Sequence, residues 1–405
     1  MGSQIAQDLL GYCLRGEQWP IELLRALVGE EYSPAFFQVV VEGLADRFDP
    51  AHCMTYARVF SEAIGCALPE LEAADLVARY QRVRMPRRFE GRPDSIETVF
   101  VLSRVTLGAD VAVTSLVLDA AKKRFPESRV CLVGGPKNWG LFDADPRLQH
   151  VPVSYPRRGA LSERLVPWRG LRKLLSKRRS IVIDPDSRLT QLGLLPVCPD
   201  ENYYFFESRS YGGESDAPLP ELTRRWLSAT FDITDAHAYI APSEQPEIGL
   251  TGPIAAISLG VGENPDKRVG DPFEEQLLGA ILARGYSVWI DKGAGGEETE
   301  RVERAIERVR PAPNKIRTWN GSFAGFASII ARSSLYVGYD SAGQHVAAAC
   351  GVPLVSVFAG YPSKRMFARW RPAGDGPVEV IKVEEQKPEK VLEQTLAALS
   401  RLGPA

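Results

Sequence analysis

The chain reads as an α/β protein of two parallel-sheet halves preceded by a small all-helical segment. Three observations predict this. The first 95 residues carry apolar side chains at helical spacing and no β-rich run. From about residue 96 onward, short β-branched runs alternate with helical stretches, the pattern of βαβ units and parallel sheets. The 405 residues also exceed the roughly 250–300 that a single hydrophobic core serves. The expected division is a helical domain over 1–95, a first α/β domain over 96–245, and a second over 246–405 with a closing helix.

The elements follow in order. Ile21, Leu23, Leu24 and Leu27, then Phe36, Phe37, Val40, Val41 and Leu44, then Tyr56, Val59, Phe60, Ala63 and Ile64 mark helical faces. Asp49-Pro50 has the form of an N-cap followed by proline at the first helical position. With His52 alone and no polar cluster, this segment reads as a packing or oligomerisation unit, and residues 85–93 as a linker. In the first α/β half, strands are expected at 98–102, 130–133, 150–153 and 181–183, with helices at 111–124, 164–176 and 220–229. In the second half, strands are expected at 254–259, 287–290, 315–319, 335–337, 354–358 and 378–383. Helices at 272–284, 297–309, 323–332, 343–349 and 388–402 complete it.

Composition excludes several classes. Hydrophobic residues at 44% and charged residues at 25% are those of an ordinary globular protein. Lys plus Arg number 49 against 51 Asp plus Glu, so no global field draws the chain to nucleic acid, which is not expected as a partner. Six cysteines without a CxxC read as buried, reduced thiols rather than a zinc site or a disulfide framework. No basic, apolar leader opens the chain and no apolar stretch is long enough to span a bilayer, so a cytoplasmic, soluble protein is expected.

In open α/β sheets the ligand sits beyond the carboxyl ends of the strands, so the residues that follow strands carry the functional reading. After 98–102 comes Ser103-Arg104-Val105-Thr106-Leu107-Gly108-Ala109-Asp110, with a helix expected from Val111. Asp110 would sit at that helix's N-terminus, ionised by the dipole, as an ordinary cap or as a general base toward a hydroxyl. After 335–337 comes Gly338-Tyr339-Asp340-Ser341-Ala342-Gly343-Gln344-His345. Here the backbone N–H groups of 341–343 make a candidate phosphate cradle, and Asp340 and His345 could hold a hydroxyl or a phosphate oxygen. Lys267-Arg268 and Lys364-Arg365 are cationic pairs after other strands, and Asp291 through Glu298 offers carboxylates for ribose hydroxyls. Four strand ends in one half-chain thus converge on a nucleotide diphosphate. The P-loop pattern is absent, as is a GxGxxG after the first strand. Asp184, Asp186 and Arg188, after 181–183, read as acceptor contacts or turn formers, and two carboxylates two residues apart are too few for a hard cation.

The stretch GYDSAGQHVAAACGVPLVSVFAG at 338–360, together with the Gly108-Ala109-Asp110 turn, resembles glycosyltransferase family 9, the ADP-heptose:lipopolysaccharide heptosyltransferase type of the GT-B superfamily. The resemblance covers about residues 97–401 and implies two facing Rossmann-like domains. It implies that Asp110 deprotonates the acceptor, that Lys267 or Arg268 binds donor phosphates, and that Glu297 or Glu298 holds the ribose. It further implies that Asp340 binds the sugar while Ser341, Gly343 and His345 hold the diphosphate. Three features depart from the family pattern: Ala109 separates Gly108 from Asp110, Ala342 stands where glycine is expected, and Val269-Gly270-Asp271-Pro272 replaces Trp-Pro. The expected function is metal-independent, inverting transfer of a sugar, for instance a heptose, from a nucleotide-diphosphate donor to a glycan, glycolipid or protein hydroxyl, with no cofactor beyond the donor. The rivals are a nucleotide-sugar epimerase and a non-catalytic nucleotide-sugar-binding or assembly protein. Residues 157–179 carry nine basic residues against Glu163 alone, a basic amphipathic stretch that could rest on the inner membrane face.

Overall fold

The computed structural model describes residues 1–156, 159–262, 264–293 and 295–403. Two all-parallel sheets form its centre. The first contains β1 (Thr98–Leu102), β2 (Arg129–Gly134), β3 (Leu148–Pro152), β4 (Ser180–Asp184) and β5 (Tyr203–Phe205), in the order β3-β2-β1-β4-β5. The second contains β6 (Ile254–Ser258), β7 (Ser287–Asp291), β8 (Ile316–Trp319), β9 (Leu335–Tyr339), β10 (Leu354–Phe358) and β11 (Val378–Lys382), in the order β11-β10-β9-β6-β7-β8. In each sheet the strand order reverses once, between β1 and β4 and between β6 and β9. Loops leaving the two strands at such a reversal run in opposite directions and open a crevice. The residues after β1, β4, β6 and β9 therefore border the two crevices.

Strands β1, β6, β9 and β10 are buried along their whole length, as parallel strands covered on both faces must be. Alternate residues serve different cores. Val99, Val101, Val130, Leu132, Ile181 and Ile183 face a core that continues into the second sheet through Ile254, Ala256, Tyr336 and Leu354. Phe100, Leu102, Cys131, Val133 and Val182 face the opposite way, into a core shared with the N-terminal helices. Those helices, Gly2–Arg15, Ile21–Val28, Pro50–Ala67 and Ala73–Val83 among them, thus cover one face of the first sheet. Asp49 caps its helix as expected, accepting from the Ala51 N–H at 2.9 Å. The residues read as a linker are seated: Phe89 is 5% exposed, its ring 5.1 Å from that of Phe125, and its N–H donates to the Thr230 carbonyl at 2.7 Å.

Several local expectations are corrected. The helix expected from Val111 starts at Leu107 and runs through a π-helical turn at Asp110–Thr114, and neither β5 nor the helix Lys364–Trp370 was anticipated. Cys66 is exposed, whereas Cys13, Cys53, Cys131 and Cys198 are buried free thiols, and burial pushes those of Cys13 and Cys198 up to about 12. Within the basic stretch, Arg157 and Arg158 lie outside the described residues. Leu161, Leu165, Trp168, Leu171 and Leu175 are spent on the core shared with the N-terminal helices, and Arg164 lies buried over the Phe37 ring. The apolar stripe that would enter a bilayer is thus covered by protein. Among the described residues, no helix is long and apolar enough to cross a membrane.

Candidate functional site

The crevice of the second sheet is built around Asp340. This residue directly follows β9 and is 6% exposed. The Lys267 ammonium donates to Asp340 Oδ2 at 2.8 Å and to its carbonyl at 3.1 Å, and the Gln344 amide donates to Oδ1 at 2.5 Å. Asn264 places the lysine: its side chain accepts from the Asp266 N–H to close the 265–267 turn, and donates to the Gly360 carbonyl at 3.1 Å. Ser341 is the N-cap of the helix Ala342–Ala349 but forms no side-chain capping bond; its hydroxyl lies 3.2 Å from that of Tyr336. The helix therefore presents its first N–H groups without a side-chain cap, the arrangement that receives anions. Gly343 is small for a packing reason, since a Cβ there would stand 2.4 Å from the Tyr336 oxygen.

The crevice of the first sheet is built around Asp110, which has no exposed surface. Its carboxylate accepts from the Ser103 and Thr114 hydroxyls, both at 2.6 Å, from the Arg104 N–H at 2.7 Å and from the Asn138 amide at 2.5 Å. Burial raises its pKa above the usual aspartate value, against the pull of these four donors. It is the fourth residue of its helix, whose N-cap is Thr106, so the expectation of a capping aspartate is corrected.

The two crevices meet at Gly108. A Cβ on this residue would lie 3.2 Å from Ala342 Cα and 3.2 Å from His345 Cδ2, so the loop carrying Asp110 touches the helix that follows Asp340. His345 is 5% exposed, and burial lowers its pKa to about 4, so it is neutral at pH 7 and not a cation for phosphate. Its ring packs on Trp370, centroids 5.8 Å apart; the Phe48 ring meets the same tryptophan edge-on at 6.0 Å, and the Arg104 guanidinium lies 5.7 Å from its centre.

Lys267, Asp340, Ser341, Gly343 and His345 thus lie together across a contact from the Asp110 loop. The remaining expected residues lie elsewhere. Arg268 turns away to Asp271 and to the buried Glu274, at 3.1 Å in the latter case. Glu298 accepts from the Val261 and Gly262 N–H groups at 2.6 and 2.9 Å, tying two strand-end loops together, while Glu297 is exposed. Asp291, at the end of β7 and near the Glu298 charge, is pushed up to about 6 mainly by burial. Lys364 is exposed, and its neighbour Arg365 instead donates to the Phe48 and Gly213 carbonyls.

The three acceptor candidates are engaged internally. Asp184 accepts from the Ser187 N–H at 2.6 Å and from the Thr190 and Tyr203 hydroxyls at 2.5 Å, and burial raises it to about 6; it shapes the turn after β4 and does not face an open surface. Asp186 is 1% exposed and accepts from Ser208 at 2.8 Å and Arg209 at 3.1 Å, while its Oδ1 is buried without a hydrogen-bond partner. Arg188 faces Asp46 of the N-terminal helical segment at 3.7 Å. Sequence reasoning missed Phe48, Arg104, Arg369 and Trp370. Arg104 alone had a signal, its place after β1; the others owe their positions to partners far away in the chain.

Residues 227–399 match the family model described as glycosyltransferase family 9 (heptosyltransferase). Lipopolysaccharide heptosyltransferase 3 of Escherichia coli is 27% identical over 103 residues, which span 25% of this chain and 29% of that protein's length. Among solved structures, a glycosyl transferase of family 9 from Veillonella parvula is 19% identical with a TM-score of 0.57, the match covering 78% of this chain and 99% of that one. The Escherichia coli heptosyltransferase WaaC, solved with ADP-2-deoxy-2-fluoro heptose, is 15% identical with a TM-score of 0.52 over 75% of this chain and 99% of that one. The resemblance read at 338–360 therefore holds, and the fold is GT-B, two facing Rossmann-like domains preceded by helices.

Proposed function

We propose that this chain, whose residues 227–399 carry a glycosyltransferase family 9 domain, transfers a sugar from a nucleotide-diphosphate donor to an acceptor hydroxyl with inversion. One observation carries the reading. The Lys267–Asp340 pair and the uncapped helix start at Ala342 stand at the second sheet's reversal point and touch, through Gly108, the loop that holds Asp110. In the reaction, the acceptor oxygen attacks the anomeric carbon while the bond from that carbon to the diphosphate oxygen breaks. Asp110 takes the acceptor proton, a role that its burial-raised pKa favours. The leaving diphosphate carries away the electron pair and is met by Lys267 and the helix N–H groups; a group preorganised at the developing charge is the largest source of acceleration in such steps.

We assign no metal to this step, and the charge on the leaving group falls to Lys267. Because Asp110 is wholly buried where the halves touch, the acceptor enters when the Gly108–His345 contact opens, and closure then excludes water. Contact with an anionic glycolipid surface would be electrostatic, through the exposed Arg172, Lys173, Lys177 and Arg178.

The same burial, with four donors on one carboxylate, favours a second reading, a nucleotide-sugar-binding protein without transfer. A thermal-shift panel of ADP, GDP, UDP and dTDP with their sugars tests the donor reading, since a true donor raises the melting temperature by mass action. A flat response to the whole panel overturns both readings. Turnover with a bound donor and an acceptor panel separates them.

A further inference from the structure

The N-terminal helices do more than cover a sheet. Between the end of the helix Ala73–Val83 and the loop that follows β5 lies a half-open cavity of about 430 Å³, within the roughly 300–1,000 Å³ of small-molecule sites. We propose that it is a subsite for a neutral saccharide unit of the acceptor, one unit removed from the hydroxyl that receives the sugar. The proposal rests on the glycosyl-transfer reading above.

Its chemistry points to a sugar. Glu207, 4% exposed, accepts from the Arg84 guanidinium at 2.8 Å and from the Tyr80 and Ser210 hydroxyls. The arginine's charge is thereby met, so the wall offers hydrogen-bonding groups without a net cation, which suits a neutral polyol better than a phosphate. Met54, Met85 and Tyr211 add apolar surface of the kind on which the C–H face of a pyranose packs. Met85 is 66% exposed, a large apolar side chain held in water at the rim.

Its position points to the acceptor. Glu207, Ser210 and Tyr211 of the loop line the cavity, whereas Ser208, wholly buried, bonds to the segments that follow β1 and β4, donating to Asp186 at 2.8 Å and accepting from Arg104 at 2.9 Å. The Arg104 N–H in turn donates to Asp110 at 2.7 Å. One residue of chain, about 3.8 Å between Cα atoms, thus separates the cavity wall from the side chain that touches the Asp110 loop. The far side of the loop is gripped by the donor half, with Arg369 donating to the carbonyls of Ala217 at 2.8 Å and Tyr211 at 3.2 Å.

Saturation-transfer NMR on the full chain, with the methyl glycosides of glucose, galactose, mannose and N-acetylglucosamine as probes, tests the subsite. Gln81→Trp and Met85→Trp, both at exposed positions, fill the cavity without disturbing a core. The expected result is transfer to at least one glycoside, at least fivefold weaker in both variants, with an unchanged nucleotide thermal shift. No transfer to any of the four, or transfer in both variants as strong as in the wild type, overturns the subsite. A glycoside signal lost in the variants of a chain that no nucleotide diphosphate stabilises leaves the subsite standing and removes the transfer reading; nucleotide stabilisation with no glycoside signal does the reverse.

Discussion

The two sheets reverse strand order in the same way, yet their crevices are furnished differently. At the second sheet's reversal point the polar groups converge on one lysine–aspartate pair beside an uncapped helix start. At the first, every expected carboxylate already has internal partners: Asp110 with four donors, Asp184 with three, and Asp186 with Ser208 and Arg209. Topology decides where a crevice lies, whereas the neighbours decide whether its side chains are free to meet a ligand.

The sharpest way to break this contrast is at Asp110. If it is the base despite its four donors, Asp110→Asn lowers kcat by about 10²–10⁴-fold with donor affinity nearly kept; unchanged turnover in a steady-state assay removes it from the mechanism. Next in size is the contact by which the N-terminal helices reach the crevice. Phe48→Ala deletes a 3%-exposed ring from the Trp370 contact and should cost about 3 kcal/mol or more, read from a denaturant titration. At the second crevice, Lys267→Ala should weaken nucleotide-diphosphate binding by about 2 kcal/mol, roughly thirtyfold by calorimetry, whereas Arg268→Ala, whose charge is held by Asp271 and Glu274, changes it less than threefold. Equal losses in the two variants would erase the distinction drawn between them.

The last effect is a pH dependence, spread over a window of pH rather than read at one condition. His345 titrates near 4 in the folded chain against 6.5 as its ordinary value, so as pH falls below 6.5 the unfolded chain takes up the proton first. Stability from this group is complete above 6.5 and is lost as pH falls toward 4, by at most about 1.4 kcal/mol per pH unit. Asp184 and Asp291, both raised to about 6, act oppositely, losing stability as pH rises from their ordinary 3.8 through that value. The histidine's part is therefore the difference between the melting curves of the wild type and His345→Gln across this window, and parallel curves would contradict it.

Much of the fold was legible because the central strands are uninterrupted apolar runs, as buried parallel strands must be. The three-residue β5, Tyr203–Phe205, is too short to stand out, and the helix Lys364–Trp370 is too polar. At the site, Asp340 and Lys267 were legible because each follows a strand. Which basic neighbour faces the crevice was not, because Glu274, six residues on, claims Arg268, and the Phe48 and Gly213 carbonyls, far away in sequence, claim Arg365. Asp110 was found in the right loop with the wrong surroundings, since the helix begins three residues before it and Asn138, beyond β2, reaches it only after folding.

The core that the N-terminal helices share with β1, β2 and β4 also sets a timetable. These helices leave the ribosome before the strands they cover, but their apolar face is closed only when Leu161–Leu175 and Tyr203–Phe205 have been made. At about 5–20 residues per second, the intervening stretch takes on the order of ten seconds to synthesise. For that interval the nascent chain carries an unfinished hydrophobic surface, open to water until the strands and helices that complete it have been synthesised.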